Sequence, residues 1–484
     1  MRNITTVFST IIFLSIMLLF TSCEDWVSEV EPLSDQVQDD DLNSEEYLDF
    51  LLKGALGNMG RSQEFSGLPH ILWRVAGFSD EFIHGEVDFA PDHSNFVQDI
   101  PMDLNFVAND WDNYHQIRFH ADDLLDRASK MTIANDALKQ RVHWWGNVIG
   151  GLMRLYLADH WGLSQDGTQP GAVITTIQQN DNGETGSFQT SQEIREIARA
   201  MLTEALSYDP GDAYEGVNGN ADKIIHSLIA RSFLFDGNYN SAKAHAEQGL
   251  QQGDDPFELI HTAAFSNYMW YEAGRNNVLF SADPRFADYV VADRLEGEII
   301  SNLTEDPDAL SLSLRGLEGD GIGGKSQEDV RDNLDNPNER IPLWELEADG
   351  GSLAYCQDIY DGRADNLDII DWREMELILA EVAINNSDNS TALTHMNNVR
   401  TSHGLSELTL DDLTGFTPSE TSGAGSTTGA MGLLIEERDK TLWMKGVRIV
   451  DQKRFDLWHL GDNTWSYIPI PDSEILNNPN VTRP

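Results

Sequence analysis

The chain has 484 residues, 40% of them hydrophobic and 9% aromatic, a globular composition with apolar material for one large or two to three ordinary domains. A formal charge of −49, from 81 acidic against 32 basic residues, argues against nucleic acid and anionic lipid surfaces as partners. The chain has only two cysteines, Cys23 and Cys356.

Arg2 opens a segment whose residues 11–20 are apolar apart from Ser15, shorter than the ~20 residues a transmembrane helix needs, so it reads as an export signal. Its end, Leu19-Phe20-Thr21-Ser22-Cys23, resembles the lipobox of bacterial lipoproteins. That resemblance implies a signal peptide over 1–22, lipidation of Cys23, and a lipidated tether over 23–43. The competing reading is an ordinary cleaved signal. Three acyl chains, at about 0.8 kcal/mol per buried CH₂, make such an anchor effectively permanent. Cys356 is then a lone thiol. The acids are spread along the chain rather than blocked, so a saline habitat explains them better than a cationic ligand does. At ~1 M salt the Debye length falls to about 3 Å and their self-repulsion is screened.

Ser44 is a plausible N-cap for a first helix carrying Tyr47, Leu48, Leu51, Leu52, Ala55 and Leu56 and ending at Gly57 or Gly60. Residues 61–110 show no sustained period and read as loops and short elements. Helical spacing resumes over about 111–130 and 136–160, and Asp166 to Gly186 reads as a polar connector. An amphipathic helix follows over 191–208. Asp222–Asp236 and Ser241–Gln251 then form a helical hairpin in which Ala230, Ala242 and Ala246 allow close approach, the logic of tetratricopeptide units. A second hairpin runs from Asp371 through Glu381 and from Ser390 to Arg400. Between the two, residues 254–360 are rich in Gly, Asp and Pro and read as a loop-rich insertion into a helical frame. Gly415 to Gly432 reads as a flexible Gly/Ser/Thr loop, and Ile468-Pro469-Ile470-Pro471 as extended chain. The expected organisation is a mainly α fold: a helical repeat scaffold over 44–253, the insertion over 254–360, and a C-terminal helical scaffold with an extended tail over 361–484.

Several of these segments together resemble the SusD/RagB family of outer-membrane nutrient-binding lipoproteins. The tail Ile468-Pro469-Ile470-Pro471, Glu474-Ile475 and Asn478-Pro479-Asn480 is similar to the family's ending. So is the block Glu437-Arg438, Gly446-Val447-Arg448, Asp451 and Arg454 before it. Upstream, Trp111, Tyr114, Arg154-Leu155-Tyr156, Trp161-Gly162, Ala230-Arg231, Gly237-Asn238-Tyr239 and Glu381 fall in family order. Asp122 in place of Asn, and Gly150-Gly151 interrupting a helix, depart from the pattern. The resemblance implies a tetratricopeptide-like helical fold, anchorage at the outer membrane facing the exterior, and capture of an oligosaccharide or peptide. It also implies delivery to a SusC-type TonB-dependent outer-membrane transporter. Glu24-Asp25, directly after Cys23, resembles a surface-export signal. Arg448, Asp451 and Arg454, at three-residue spacing, are expected to form a structural polar network.

Sugar capture needs flat aromatic faces with polar groups beside them. In the loop-rich stretches Trp73, Phe82, Phe89, Trp270, Tyr271, Tyr289 and Trp344 are the candidates, each competing with plain core packing, and Asp80-Glu81 could supply polar contacts. Trp270, Tyr289 and Trp344 are favoured because they flank the insertion and irregular segments on a rigid scaffold are where recognition usually sits. No catalytic residue, metal or cofactor is expected, since there is no His-Glu-x-x-His, no Gly-x-Ser-x-Gly, and Gly319 to Gly324 lacks the flanking elements of a phosphate loop. A lipid-anchored protein-binding scaffold and a carbohydrate-active hydrolase are the alternative readings.

Overall fold

Apolar positions at helical spacing turn most of the described residues into helices. The computed structural model describes residues 39–61, 66–84, 105–211, 215–217, 219–267, 269–270, 280–296, 340–348, 352–360, 362–458 and 464–484. Helix α1 (Glu45–Gly60) starts with Glu45 and Glu46, acids suited to a helix N-terminus, and buries Leu48, Leu52, Ala55 and Met59. The next helix, α2 (Leu68–Phe78), lies inside the stretch expected to be loops. All of its residues are buried, so it shows no polar stripe, and periodicity has nothing to detect.

Two long helices follow, α3 (Asn105–Lys130) and α4 (Asp136–His160); the Asn135 side chain accepts the Leu138 N–H at the start of α4. The expected polar connector contains a strand, β3 (Gly171–Val173), and a short helix, α5 (Ile177–Asp181). β3 pairs antiparallel with β4 (Phe188–Thr190) just beyond it. Thr190 and Glu193 then form a capping box for α6 (Ser191–Ala205). Gly150 and Gly151 do not interrupt α4. A Cβ on Gly151 would come within 2.9 Å of Leu202 Cγ and 3.2 Å of the Ala198 carbonyl, so the glycines let α4 and α6 touch.

Helices α7 (Ala221–Phe235) and α8 (Tyr239–Ala246) form the first expected hairpin, with Gly237 at φ 70° in the turn and Asn238 capping Ser241. Beyond α9 (Pro284–Glu296), the second hairpin is α10 (Trp372–Asn385), capped by Asp371, and α11 (Asn389–Ser402), capped by Asp388. Arg231 of α7 joins the hairpins by donating to both oxygens of Glu374 on α10, at 2.6 Å each. The remaining helices are α12 (Leu410–Gly415), α13 (Gly429–Thr441), α14 (Arg448–Arg454) and α15 (Asp472–Asn477). The mainly α, tetratricopeptide-like architecture expected from the sequence is the one observed.

Short strands stitch distant segments to this frame. β1 (Phe82–His84) pairs with β6 (Phe280–Ala282), and β5 (Phe257–Leu259) pairs with β9 (Leu367–Ile370). β7 (Leu343–Ala348) and β8 (Ser352–Gln357) make a hairpin. In the tail, β10 (Ile468–Pro469) lies parallel to β2 (Trp161–Gly162). The Gly/Ser/Thr segment expected to be flexible is pinned: residues 422–424 are buried, Ser422 Oγ donates to Glu436 at 2.5 Å, and the Gly423 N–H donates to the Tyr289 hydroxyl. Among the described residues no helix is long and apolar enough to cross a membrane.

Candidate functional site

Two residues chosen separately for ligand contact, Asp80 and Tyr289, meet in one place, and it is closed. Asp80 follows α2 and accepts from Arg448 of α14 at 2.7 Å on each oxygen and from Arg285 of α9 at 3.0 Å. Arg285 also donates to Asp439 of α13 at 2.9 and 3.1 Å, and the Tyr289 hydroxyl donates to Asp439 at 3.0 Å while accepting the Gly423 N–H at 2.6 Å. Asp80 and Tyr289 are each only 4% exposed. Two guanidiniums neutralise two carboxylates, which makes burial of all four tolerable. Burial opposes charge on Arg285 and Arg448, yet Asp439 and Asp80 hold both above the ordinary arginine range. This is a corner joining α2, α9, α13 and α14, and the assignment of Asp80 and Tyr289 to a ligand is corrected accordingly. Trp73 is corrected too. It lies inside α2 at 1% exposure, with the Arg74 guanidinium 5.5 Å from its ring centroid. Phe82 is likewise fully buried.

The face formed by Arg448, Asp451 and Arg454 is structural, as expected. Asp451 accepts from Arg438 at 2.8 Å and from Arg454 at 2.8 Å, and Arg454 reaches Glu381 of α10 at 2.7 Å. Beside it Glu437 accepts from Arg340 and Arg400; burial opposes its ionisation, but the two arginines win and hold its carboxyl down at about 2.

Trp270 is different. Its neighbour Asn267 is buried and clamps the segment, donating its backbone N–H to the Arg363 carbonyl at 2.8 Å and its amide to the Asp365 carbonyl at 3.0 Å. The buried Gln357 amide donates to the carbonyls of Met269 and Tyr360. These bonds hold Asn267 and Met269 against Tyr360, Arg363 and Asp365 and leave Trp270 half-buried, with the exposed Arg363 guanidinium 5.1 Å from its ring centroid. An indole beside a solvent-facing cation, on a pinned segment, can stack on a flat apolar surface and donate hydrogen bonds at its edge. Arg363 escaped the sequence reading because 93 positions separate it from Trp270. Only the Gly362 to Asp365 turn signal was there to find. Trp344 lies nearby in the backbone topology: it pairs with Cys356 in the β7–β8 ladder, next to the Leu343–Gln357 pair. Phe89, Tyr271, Gly319 to Gly324 and Cys23 fall outside the described residues. Among the described residues no three His, Cys, Asp or Glu groups converge as metal ligands. Burial pushes the Cys356 thiol up to about 12, which makes it inert.

No family model matches the sequence, and no curated protein is similar to it. Solved structures are similar in shape. A SusD superfamily protein from Bacteroides vulgatus superposes with a TM-score of 0.62 over 91% of this chain and 98% of its own, at 13% identity. The chain has the SusD fold. A SusD-like carbohydrate binding protein from the same organism superposes with a TM-score of 0.57, covering 84% of this chain and 83% of its own at 13% identity. NanU from B. fragilis gives 0.56 over 93% and 99% at 12% identity.

Proposed function

We propose that this protein is a lipid-anchored, surface-exposed lipoprotein of the outer membrane that captures an oligosaccharide nutrient and passes it to a SusC-type TonB-dependent transporter. The observation that carries the reading is the SusD fold over nine-tenths of the chain, joined to the lipobox-like Leu19 to Cys23. A structural neighbour described as carbohydrate-binding supports a saccharide as the ligand. Capture without turnover is part of the same reading. Trp270 is the recognition surface in this reading, Arg363 its polar partner, and Trp344 a further contact.

Two experiments test it. In cells, Cys23→Ser should release the protein from the membrane fraction, protease added to whole cells should cleave the wild type, and a TonB-dependent barrel should co-purify with it. A wild-type protein that is shielded from protease and purifies without a barrel would instead favour an envelope scaffold. In vitro, titration against panels of glycans and of peptides should find a saccharide ligand. Trp270→Ala should weaken it about tenfold, the scale of one lost aromatic stacking contact. Exclusive binding of peptides, or hydrolysis of the glycans, would overturn the assignment.

A further inference from the structure

A groove of about 1080 Å³ opens where the end of α6 approaches the start of α7, lined by Gln140, Tyr208, Asp209, Asn220, Asp222 and Lys223 among others. That is the upper end of the ~300–1,000 Å³ usual for ligand pockets. It shares no residue with the Trp270 surface or with the buried ion network. Tyr208 is half-buried, and its ring is fixed twice. It stacks on the His143 imidazole of α4 with centroids 4.7 Å apart and planes 16° from parallel, and its hydroxyl donates to Glu204 at 3.2 Å. One face of the ring is backed by His143, and Tyr208 lines the groove.

The walls are preformed. The Asp209 N–H donates to the Gln140 amide oxygen at 3.3 Å, and the Asp209 carboxylate accepts the Gly211 N–H at 2.8 Å. Asn220 donates its amide to the Asp255 carbonyl at 3.2 Å. Lys223 is neutralised by Asp254 at 2.6 and 2.7 Å, so among the described lining residues the remaining charge is that of Asp209 and Asp222. A rigid aromatic face ringed by amides and carboxylates suits the C–H face and hydroxyls of a sugar, and the residual negative charge repels carboxylated or sulfated ones.

We propose that this groove is a second saccharide subsite, selective for neutral oligosaccharides, with Tyr208 as its stacking platform. The proposal rests on the reading that the protein captures saccharides. The test titrates the full chain with maltohexaose, cellohexaose, laminarihexaose and xylohexaose, and with a galacturonic acid hexamer as the acidic comparator. Amide hydrogen exchange is read over residues 206–211 and 219–223. One or more neutral hexasaccharides should protect these amides, and the acidic hexamer should not. Tyr208→Ala should weaken that protection about tenfold, Tyr208→Phe should keep it, and Trp270→Ala should leave it unchanged. A neutral sugar that binds the chain without protecting the groove, or equal protection in Tyr208→Ala, overturns this proposal alone. Binding of none of the hexasaccharides overturns it together with the capture of such sugars.

Discussion

Glu81 shows how far burial can move a single residue away from its sequence signature. Beside Asp80 it looks like one more surface acid, yet it is 1% exposed, accepting the Met444 N–H at 2.7 Å and the Ser79 hydroxyl at 3.3 Å. The first bond helps Met444 keep its left-handed backbone, φ 62°, which a side chain adopts at a cost. Burial pushes the Glu81 carboxyl up to about 8, the Asp439 and Asp80 charges add to the rise, and the Met444 N–H opposes it. Because the folded value lies above the ordinary 4.5, this group's contribution to stability is complete below that value and is lost as pH rises through about 8. Glu81→Gln can accept the Met444 N–H and donate to Ser79 without titrating. Its melting temperature relative to wild type should therefore climb between about pH 5 and about pH 9 in calorimetric scans. Parallel pH profiles for the two proteins would show that Glu81 carries no such load.

Among the elements, the contact between α4 and α6 depends on the absence of side chains. Gly151→Ala should destabilise by about 1–3 kcal/mol in urea melts, because the new methyl meets the fully buried Leu202 and the Ala198 carbonyl of the α6 backbone. Gly54 on α1 is the contrasting case: it is exposed, and a Cβ there meets nothing within 4 Å. Gly54→Ala should stabilise by about 0.5–1 kcal/mol through helix propensity alone. Equal effects at the two sites would contradict the packing described for α4 and α6. The hairpins α7–α8 and α10–α11 were legible in the sequence because their caps and small residues lie within a few positions of one another. Helix α2 was not, since a helix enclosed on all sides has the composition of any buried segment.

For the whole molecule, the charge of −49 sets the response to salt. The buried pairs around Asp80, Asp439, Asp451 and Glu437 are balanced locally and little screened, so the excess acid is a surface property. Raising NaCl from about 0.1 M to about 1 M should shorten the Debye length from about 10 Å to about 3 Å and raise the melting temperature by several degrees. A melting temperature that stays flat or falls would mean that self-repulsion is already offset within the fold.

Local chemistry determined what the sequence alone could settle: the helical hairpins, the polar face of Arg448, Asp451 and Arg454, and the mainly α class. Each of these depends on residues a few positions apart, where spacing is enough. Tertiary structure decided which of the candidate aromatic and acidic side chains are buried. Asp80, Arg285, Tyr289, Asp439 and Arg448 come from three separate helices and the turn after a fourth, and their mutual neutralisation closes the corner that Asp80 and Tyr289 were expected to open. Trp270 remains at the surface because Asn267 and Gln357 pin its segment beside Arg363. Burial and pairing are properties of distant segments brought together, and no local spacing records them.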